Sequence, residues 1–260
     1  MCIRDSPYRD HQIISTPTLT AGPTLNHALD LLTDWTPTGP KPDATAYAAY
    51  DKAIRAANAH RYATMGDTEH EPDPSCTSHF NVVDSAGNMV SCTQTLLSIF
   101  GSRLMLPTSG IMMNNGIMWF DPEPGKANSL GPGKRCLANM CPTLLNRSDG
   151  AMFALGASGG RKIMPSVAQL TSMLLDYGMD LDTALHTPRL DASLAEVTVV
   201  DDTMPAEIIT ALRSLLDQVH PAPRTIYPLH YACPSAVSRM GDLNAGATEV
   251  MAPWADAVSE

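Results

Sequence analysis

The chain is short of positive charge. Its 260 residues contain 17 lysine and arginine residues against 27 aspartate and glutamate residues, a formal net charge of −10. A nucleic-acid-binding surface needs clustered lysine and arginine to neutralise phosphates. The charge balance therefore argues against a nucleic-acid partner and favours a small charged or polar substrate. The hydrophobic content of 44% and the length suit one large domain or two small ones with an adequate core.

Long apolar runs and metal-ligand patterns are also lacking. No run approaches the roughly 20 apolar residues that cross a bilayer, and the first residues lack the regions of a secretory signal. The six cysteines contain no Cys-x-x-Cys pair, and the eight histidines have no metal-ligand spacing. We expect buried free thiols, no metal and no cofactor. A periplasmic and a cytoplasmic location both stay open.

Apolar periodicity predicts strands in adjacent hairpins with helices between them, an α+β layered fold. Residues 63–76 are polar, acidic and proline-bearing, as in a loop that presents a scissile bond, and residues 96–142 are predicted to be irregular chain around a site. The predicted helices are 23–35, 44–62, 165–177, 181–186 and 205–219. The predicted strands are 77–84, 89–95, 143–146, 151–155, 197–200, 235–239 and 248–251.

A threonine stands at the head of the first predicted hairpin. The strand that starts at Thr77 meets the turn 84–88, and a second strand follows. A threonine hydroxyl is a weak nucleophile, but at a chain terminus its own α-amino group takes the proton. Thr77 is internal, so this chemistry requires scission of the Cys76-Thr77 bond. The alternative is an ordinary threonine packed in a strand.

Three further blocks follow in order and favour the catalytic interpretation. They are Asn114-Asn115, the stretch from Gly131 to Thr143, and the stretch from Ala154 to Arg161, which joins a strand to a helix. Together with Thr77-Ser78-His79, these blocks resemble the γ-glutamyltranspeptidase family of N-terminal-nucleophile hydrolases. The resemblance runs from about Thr77 to the C-terminus and extends more weakly back to the first predicted helix.

The resemblance implies a four-layer αββα sandwich and autocatalytic cleavage before Thr77. Residues 1–76 would be the end of the large subunit with the pre-cleavage linker, and residues 77–260 the small subunit carrying the nucleophile. Members of the family carry several hundred residues ahead of the nucleophile. We therefore expect an N-terminally truncated chain, inactive by itself, whose partner is the missing large-subunit region in a heterodimer of cleaved subunits.

Four residues take catalytic roles by this resemblance. Thr77 would attack the amide carbonyl, and the Thr95 hydroxyl would hydrogen-bond the nucleophile and orient it. The backbone N–H groups of Gly159 and Gly160 would stabilise the oxyanion, since donors at a strand-to-helix turn point at developing negative charge. A packed strand threonine at Thr95 and a plain tight turn at Gly159-Gly160 remain the structural alternatives.

Further residues match positions around the family's pocket. Asn114 and Asn115 match paired asparagines that line it. His79 follows the nucleophile by two residues and is expected to support it from the same face of the strand. Arg161 adjoins the oxyanion turn and would serve an anionic group, with an ion pair to the sheet as the alternative.

The residues at the positions that bind a γ-glutamyl group in the family differ from the family pattern. Transpeptidases hold the α-ammonium with an Asn, a Gln and an Asp and the α-carboxylate with two serines. This chain has, in those places, Leu97, Gly116, Trp119, Ala138 and Asn139. Only Asn139 keeps hydrogen-bonding capacity, and burying an ammonium without a carboxylate partner is costly. The family's carboxylate-binding arginine lies outside this sequence.

Three functions therefore stand as hypotheses. The first is γ-glutamyl transfer or hydrolysis of glutathione-type substrates through an acyl-enzyme. The second is a related amidohydrolase or acylase, similar to cephalosporin acylases or oxamate hydrolases, with Leu97 and Trp119 shaping a more apolar or smaller pocket. The third is an inactive relative or inert fragment.

Overall fold

A six-stranded antiparallel sheet forms the centre of the fold, in the order β1-β2-β5-β6-β10-β11. A computed structural model describes residues 4–65, 75–194, 196–226 and 229–259. In chain order the strands are β1 (Arg4–Tyr8), β2 (His11–Ser15), β3 (Ser75–Val83), β4 (Met89–Ser98), β5 (Thr143–Asn146), β6 (Met152–Ser158), β7 (Leu190–Asp191), β8 (Thr198–Asp201), β9 (Val219–Ala222), β10 (Cys233–Met240) and β11 (Leu243–Thr248).

Helices cover one face of this sheet. They are α1 (Gly22–Leu32), α2 (Ala44–Met65), α3 (Ile163–Leu175), α4 (Leu181–His186) and α5 (Ala206–Leu215). Phe153 and Leu155 of β6 belong to the buried cluster that α1, α2 and α3 also form. Within the described ranges, every helix is too short or too polar to cross a bilayer.

The β3-β4 hairpin forms a second layer on the opposite face of the sheet. Side chains alternate along a strand. Because Phe153 and Leu155 face the helices, the alternate residues Ala154 and Gly156 face the hairpin. Gly156 lies directly under the ring of His79. Ser91 donates to the carbonyl of Leu155 at 2.9 Å, and Asn81 donates to the carbonyl of Ser235 at 2.9 Å. The hairpin therefore joins the main sheet through polar contacts.

The α+β sandwich predicted from the sequence is confirmed, and the described residues contain three of its layers: helices, the main sheet and the hairpin. The outer face of the hairpin is open to solvent in this part of the chain. Phe80, Val82 and Val90 on that face are 46%, 51% and 53% exposed. A fourth layer would cover this apolar face.

The predicted boundary between residues 76 and 77 divides one shared sheet. β2, from the first segment, pairs with β5, from the second, with Ile13 opposite Leu145. The two segments therefore share a hydrophobic core. Most of the predicted linker 63–76 lies outside the described residues.

Several elements differ from the predictions because long-range pairing decides them. β1 and β2 were not predicted; β2 joins the sheet by pairing with β5, and β1 pairs with β2. The helix predicted to reach residue 219 ends at Leu215, and Val219 instead starts β9, which pairs in parallel with β8. The last predicted strand, 248–251, is displaced: β11 ends at Thr248. Residues 96–142 are largely irregular, as predicted, with a 3-10 turn at Gly116–Trp119.

We expect Gly156→Ala to destabilise the protein by about 2 kcal/mol through overpacking between β6 and the hairpin. A Cβ at Gly156 would lie 2.3 Å from Cε1 of His79. Urea unfolding would measure the loss. Gly39→Ala is the matched control, because no heavy atom lies within 4 Å of its added Cβ. Equal midpoints for the two variants would contradict the close approach of hairpin and sheet.

Candidate active site

Thr77 and Thr95 face each other across the β3-β4 hairpin. They are paired in register, and the Thr77 hydroxyl donates to Oγ1 of Thr95 at 3.2 Å. Both side chains are partly buried. The register shifts between Ser75 and Thr77, so the strand irregularity falls next to the predicted scissile bond. The structure thus brings together the two threonines that the sequence pattern predicts to interact.

Leu97 helps to fix the Thr95 hydroxyl. Its backbone N–H donates to Oγ1 of Thr95 at 2.8 Å, and its φ of 73° lies in the left-handed region. A bulky residue in this region costs about 1 to 3 kcal/mol and persists where the surrounding structure demands it. The Leu97 side chain is 8% exposed. Leu97 therefore contacts the candidate nucleophile pair through its backbone, and its apolar side chain is buried.

His79 lies on the same face of β3 as Thr77 and is neutral. Asn81 donates its Nδ2 to Ser235, so its Oδ1 faces the ring and accepts from Nε2 of His79 at 3.1 Å. Nδ1 then accepts from the Thr93 hydroxyl at 2.8 Å. Burial lowers the pKa of His79 to about 4, against the smaller opposing effect of Asn81. His79 is held as a neutral support, two residues from Thr77.

The Gly159-Gly160 turn has a backbone conformation that residues other than glycine rarely adopt. Gly159 has a φ of 134° and Gly160 a φ of 60°. A Cβ at Gly159 would also lie 2.8 Å from Cα of Ala232. The turn leads through a 3-10 turn into α3, so its N–H groups stand at a helix start, where an anion is favoured. It begins three residues after Gly156, on which His79 rests.

Asn114, Asn115 and Trp119 lie in the irregular segment and bond mainly within it. Asn114 accepts from the N–H of Gly116 at 2.8 Å. Asn115 accepts from the N–H of Ser98 at 3.1 Å and donates to its hydroxyl at 2.7 Å. The half-buried Trp119 packs on Gly116. The contacts of Asn115 hold the segment against Ser98 at the end of β4, one residue beyond Leu97. A direct contact of these three residues with substrate stays a prediction.

Asn139 and Arg161 line a narrow cavity together with Arg61, a residue that was not predicted to belong to the site. Arg61 lies on α2 and is 3% exposed. Its Nη2 donates to the carbonyl of Ala138 at 2.8 Å and to Oδ1 of Asn139 at 3.2 Å. The buried face of α2 includes, at helical spacing, Tyr50, Ile54, Ala57, Asn58 and Arg61. That helical spacing is the signal that would have placed Arg61 inside.

No group of three or more His, Cys, Asp or Glu side chains in the described part of the chain is placed to hold a metal ion. Cys141 is fully buried, and burial raises the pKa of its thiol to about 12. Burial likewise raises the pKa of the Cys233 thiol to about 11. Both thiols are protonated at neutral pH and are poor nucleophiles or metal ligands. The threonine pair is therefore the nucleophile candidate that the geometry supports.

The layered sandwich and its hairpin define a fold of the N-terminal-nucleophile hydrolase type. A family model described as gamma-glutamyltranspeptidase matches residues 68–247. The chain therefore belongs to the γ-glutamyltranspeptidase family.

The curated relatives include proteins named as glutathione hydrolases and proteins named as acylases. The glutathione hydrolase proenzyme of Bacillus subtilis strain 168 is 36% identical over 139 residues, which cover 54% of this chain and 24% of that protein. The acylase ACY 1 proenzyme of Pseudomonas sp. strain SE83 is also 36% identical, over 148 residues that cover 57% of this chain and 26% of that protein. Sequence identity therefore does not separate the two groups.

A solved structure shows the same fold over nearly the whole chain. The cephalosporin acylase from Bacillus halodurans superposes with a TM-score of 0.81 at 20% identity and covers 96% of this chain and 51% of its own. The chain spans about a quarter of the length of the curated relatives it matches and about half of this solved chain.

We expect the pH dependence of stability to report the burial of His79. The folded pKa of about 4 lies below the ordinary 6.5. Between these values the unfolded chain binds a proton that the folded chain does not. The free energy of unfolding therefore falls as the pH drops from 6.5 to 4, by about 3 kcal/mol in total, and is unaffected above 6.5.

Urea unfolding at several pH values would measure this effect as the difference between the wild type and His79→Gln. The glutamine variant does not titrate, so it should lose that part of the acid sensitivity. His220→Gln is the control, because His220 is exposed. Parallel pH profiles for the wild type and His79→Gln would contradict a buried, neutral His79.

Proposed function

We propose that this chain is the nucleophile-bearing part of an enzyme that is autocatalytically cleaved before Thr77 and acts on amide bonds through an acyl-enzyme. The observation that carries the proposal is the hydroxyl pair, Thr77 to Thr95 at 3.2 Å, at the head of the hairpin. A strand threonine that only fills space needs no such partner. The family membership and the Gly159-Gly160 turn support the same chemistry.

Scission of the Cys76-Thr77 bond would give Thr77 a free α-amino group, which acts as the base. Oγ1 of Thr77 then attacks the amide carbonyl and passes its proton to the amino group. The N–H groups of Gly159 and Gly160 stabilise the oxyanion; removing one such donor typically costs about 3 kcal/mol. The C–N bond breaks, the amine leaves with the proton, and water or a second amine takes the acyl group from Thr77.

The subunit arrangement follows from the shared sheet. Residues 1–76 and 77–260 would remain associated after cleavage, because β2 and β5 stay paired and the core is common to both. The two relatives named above are both called proenzymes, which agrees with processing. The remaining large-subunit region, as in those longer relatives, would complete the heterodimer and its pocket.

Two classes of substrate are candidates for this enzyme. A γ-glutamyl amide of the glutathione type is the family expectation. A non-γ-glutamyl acyl amide is the second candidate. It is favoured by the buried, apolar Leu97 and Ala138, which are 8% exposed each, at positions where transpeptidases have polar groups. An unpaired ammonium next to such side chains would lose its hydration without compensation.

Thr77→Ala tests the nucleophile directly. We expect the full-length wild type to yield two chains on a denaturing gel, the smaller one beginning at Thr77 by N-terminal sequencing, and Thr77→Ala to stay uncut. Thr95→Val keeps the side-chain shape but removes the hydroxyl partner. It should slow cleavage and amide hydrolysis at least tenfold, the effect of about 1.4 kcal/mol.

Ser78→Ala is the matched control, since Ser78 is the exposed hydroxyl neighbour on the other face of β3, and it should cleave as the wild type does. A wild-type chain that stays single, or is cut elsewhere, overturns the proposal. Cleavage without hydrolysis of γ-glutamyl-p-nitroanilide or simple acyl p-nitroanilides would identify an inactive relative. The rates on the two substrate types decide between the γ-glutamyl and the acylase candidates.

A further inference from the structure

Two buried polar residues lie in the loop 119–137, most of which is open to solvent. Residues 122–127 and 132–135 are exposed, whereas Asn128 and Ser129 are 4% and 5% exposed. Burying an amide side chain is costly unless its polar atoms are hydrogen-bonded. The hydrogen-bond partners of Asn128 therefore show what its burial contributes.

Asn128 bonds with both atoms of its amide to the main chain at the two ends of the loop. Nδ2 donates to the carbonyl of Trp119 at 2.6 Å, and Oδ1 accepts from the N–H of Leu137 at 3.0 Å. The backbone carbonyl of Asn128 also accepts from the N–H of Asp121 at 2.9 Å. One partner of the amide is an acceptor and the other is a donor, which an amide satisfies and a carboxylate does not. Asn128 therefore links Trp119 to Leu137 across the loop.

The Leu137 end of this link is fixed to the helical layer. The N–H of the next residue, Ala138, donates to the carbonyl of Leu19 at 2.8 Å. The carbonyl of Met140 accepts from the N–H of Ala21 at 3.1 Å. The chain that follows the loop is thus bonded twice to the residues just ahead of α1. It gives the link a fixed point.

The Trp119 end of the link carries a side chain that is predicted to contact substrate. Its ring packs on Gly116, where an added Cβ would lie 3.1 Å from Cζ3 of the indole. Gly116 follows Asn115, which is bonded to Ser98 at the end of β4. That strand also carries the partner hydroxyl of the candidate nucleophile. The ring is therefore supported by Gly116, and its backbone carbonyl is held by the link.

We propose that Asn128 is a positioning residue for the acyl-binding pocket. Its side chain holds Trp119 at a fixed place relative to Leu137, so that the indole forms a wall for the acyl group. The inference rests on the proposed function and on the predicted contact of Trp119 with substrate. Asn128 bonds to the main chain and acts through Trp119. Loss of the link would let the loop move and would change the binding of acyl groups long enough to reach the ring.

The test compares hexanoyl-p-nitroanilide with acetyl-p-nitroanilide on the full-length cleaved protein. Where γ-glutamyl-p-nitroanilide is the faster long substrate, it replaces the hexanoyl compound. The measured quantity is the ratio of the two kcat/KM values. Trp119→Ala removes the wall, and Asn128→Ala removes only its support. We expect the ratio in Asn128→Ala to move at least fivefold toward that of Trp119→Ala, through the KM of the longer substrate.

The ratio separates positioning from stability. A variant that folds less completely loses both rates in the same proportion, so its ratio stays at the wild-type value. Asn128→Asp has the same shape, keeps an acceptor for Leu137 and places a second oxygen against the carbonyl of Trp119. It should shift the ratio as Asn128→Ala does, because the bond to Trp119 is the one that it loses.

Asn26→Ala is the matched control. Asn26 is a buried asparagine on α1, 8% exposed, and its Nδ2 donates to the hydroxyls of Ser6 and Ser15 at 2.9 Å and 3.3 Å. Its replacement also removes two hydrogen bonds of a buried amide, but at a place remote in the fold from the loop 119–137. The ratio in Asn26→Ala should equal that of the wild type.

A double-mutant cycle tests whether Asn128 acts through Trp119. In the Trp119→Ala background, Asn128→Ala should change the ratio less than twofold, because the wall that it supports is gone. Effects that multiply independently would overturn the positioning role. A ratio in Asn128→Ala that equals the wild-type ratio would overturn it as well.

A measurement without substrate distinguishes failure of this inference from failure of the proposed function. In protein labelled with 5-fluorotryptophan, the ¹⁹F resonance of Trp119 is the one missing from Trp119→Phe. Asn128→Ala should shift or broaden that resonance, and Asn26→Ala should leave it unchanged. An unchanged resonance in Asn128→Ala refutes the positioning role whatever the activity. Absence of Thr77-dependent hydrolysis of every p-nitroanilide refutes the proposed function, and the resonance then still decides whether Asn128 holds Trp119.

Discussion

The site depends on the way the β3-β4 hairpin lies against the main sheet. Polar side chains of the hairpin make this contact. His79 packs on Gly156, which has no side chain, and Asn81 and Ser91 donate to backbone carbonyls of β10 and β6. Buried polar groups are directional, and a hydrogen bond that is lost inside costs about 1 to 3 kcal/mol. A polar interface of this kind resists sliding better than an apolar one, because each donor has one specified acceptor.

That interface also sets the position of the nucleophile candidate. Thr77 is two residues from His79 along β3, and Gly159 is three residues from Gly156 along β6. Packing His79 on Gly156 therefore brings the hydroxyl pair and the glycine turn to neighbouring parts of the same interface. The neutral state of His79 belongs to this arrangement, since a charged ring at this depth would have no carboxylate partner among the described residues that it contacts.

Two kinds of side chain surround the candidate site. Leu97, whose backbone N–H donates to Thr95, is buried and apolar, whereas Arg61, Asn139 and Arg161 line a narrow polar cavity. The likeness to both glutathione hydrolase and acylase proenzymes agrees with a shared nucleophile scaffold and a variable binding surface.

The α+β class, the hairpin with its threonine, the turn at Gly159-Gly160 and the family could all be predicted from the order of residues. These features are local: a strand pair with a short turn, a glycine pair between strand and helix, and ordered motifs survive in a linear pattern. Three features could be seen only in the folded chain: β1 and β2 extend the sheet, Val219 pairs in parallel with β8, and Arg61 reaches Asn139. Those contacts join residues tens to more than a hundred positions apart, and no local periodicity encodes such a partner.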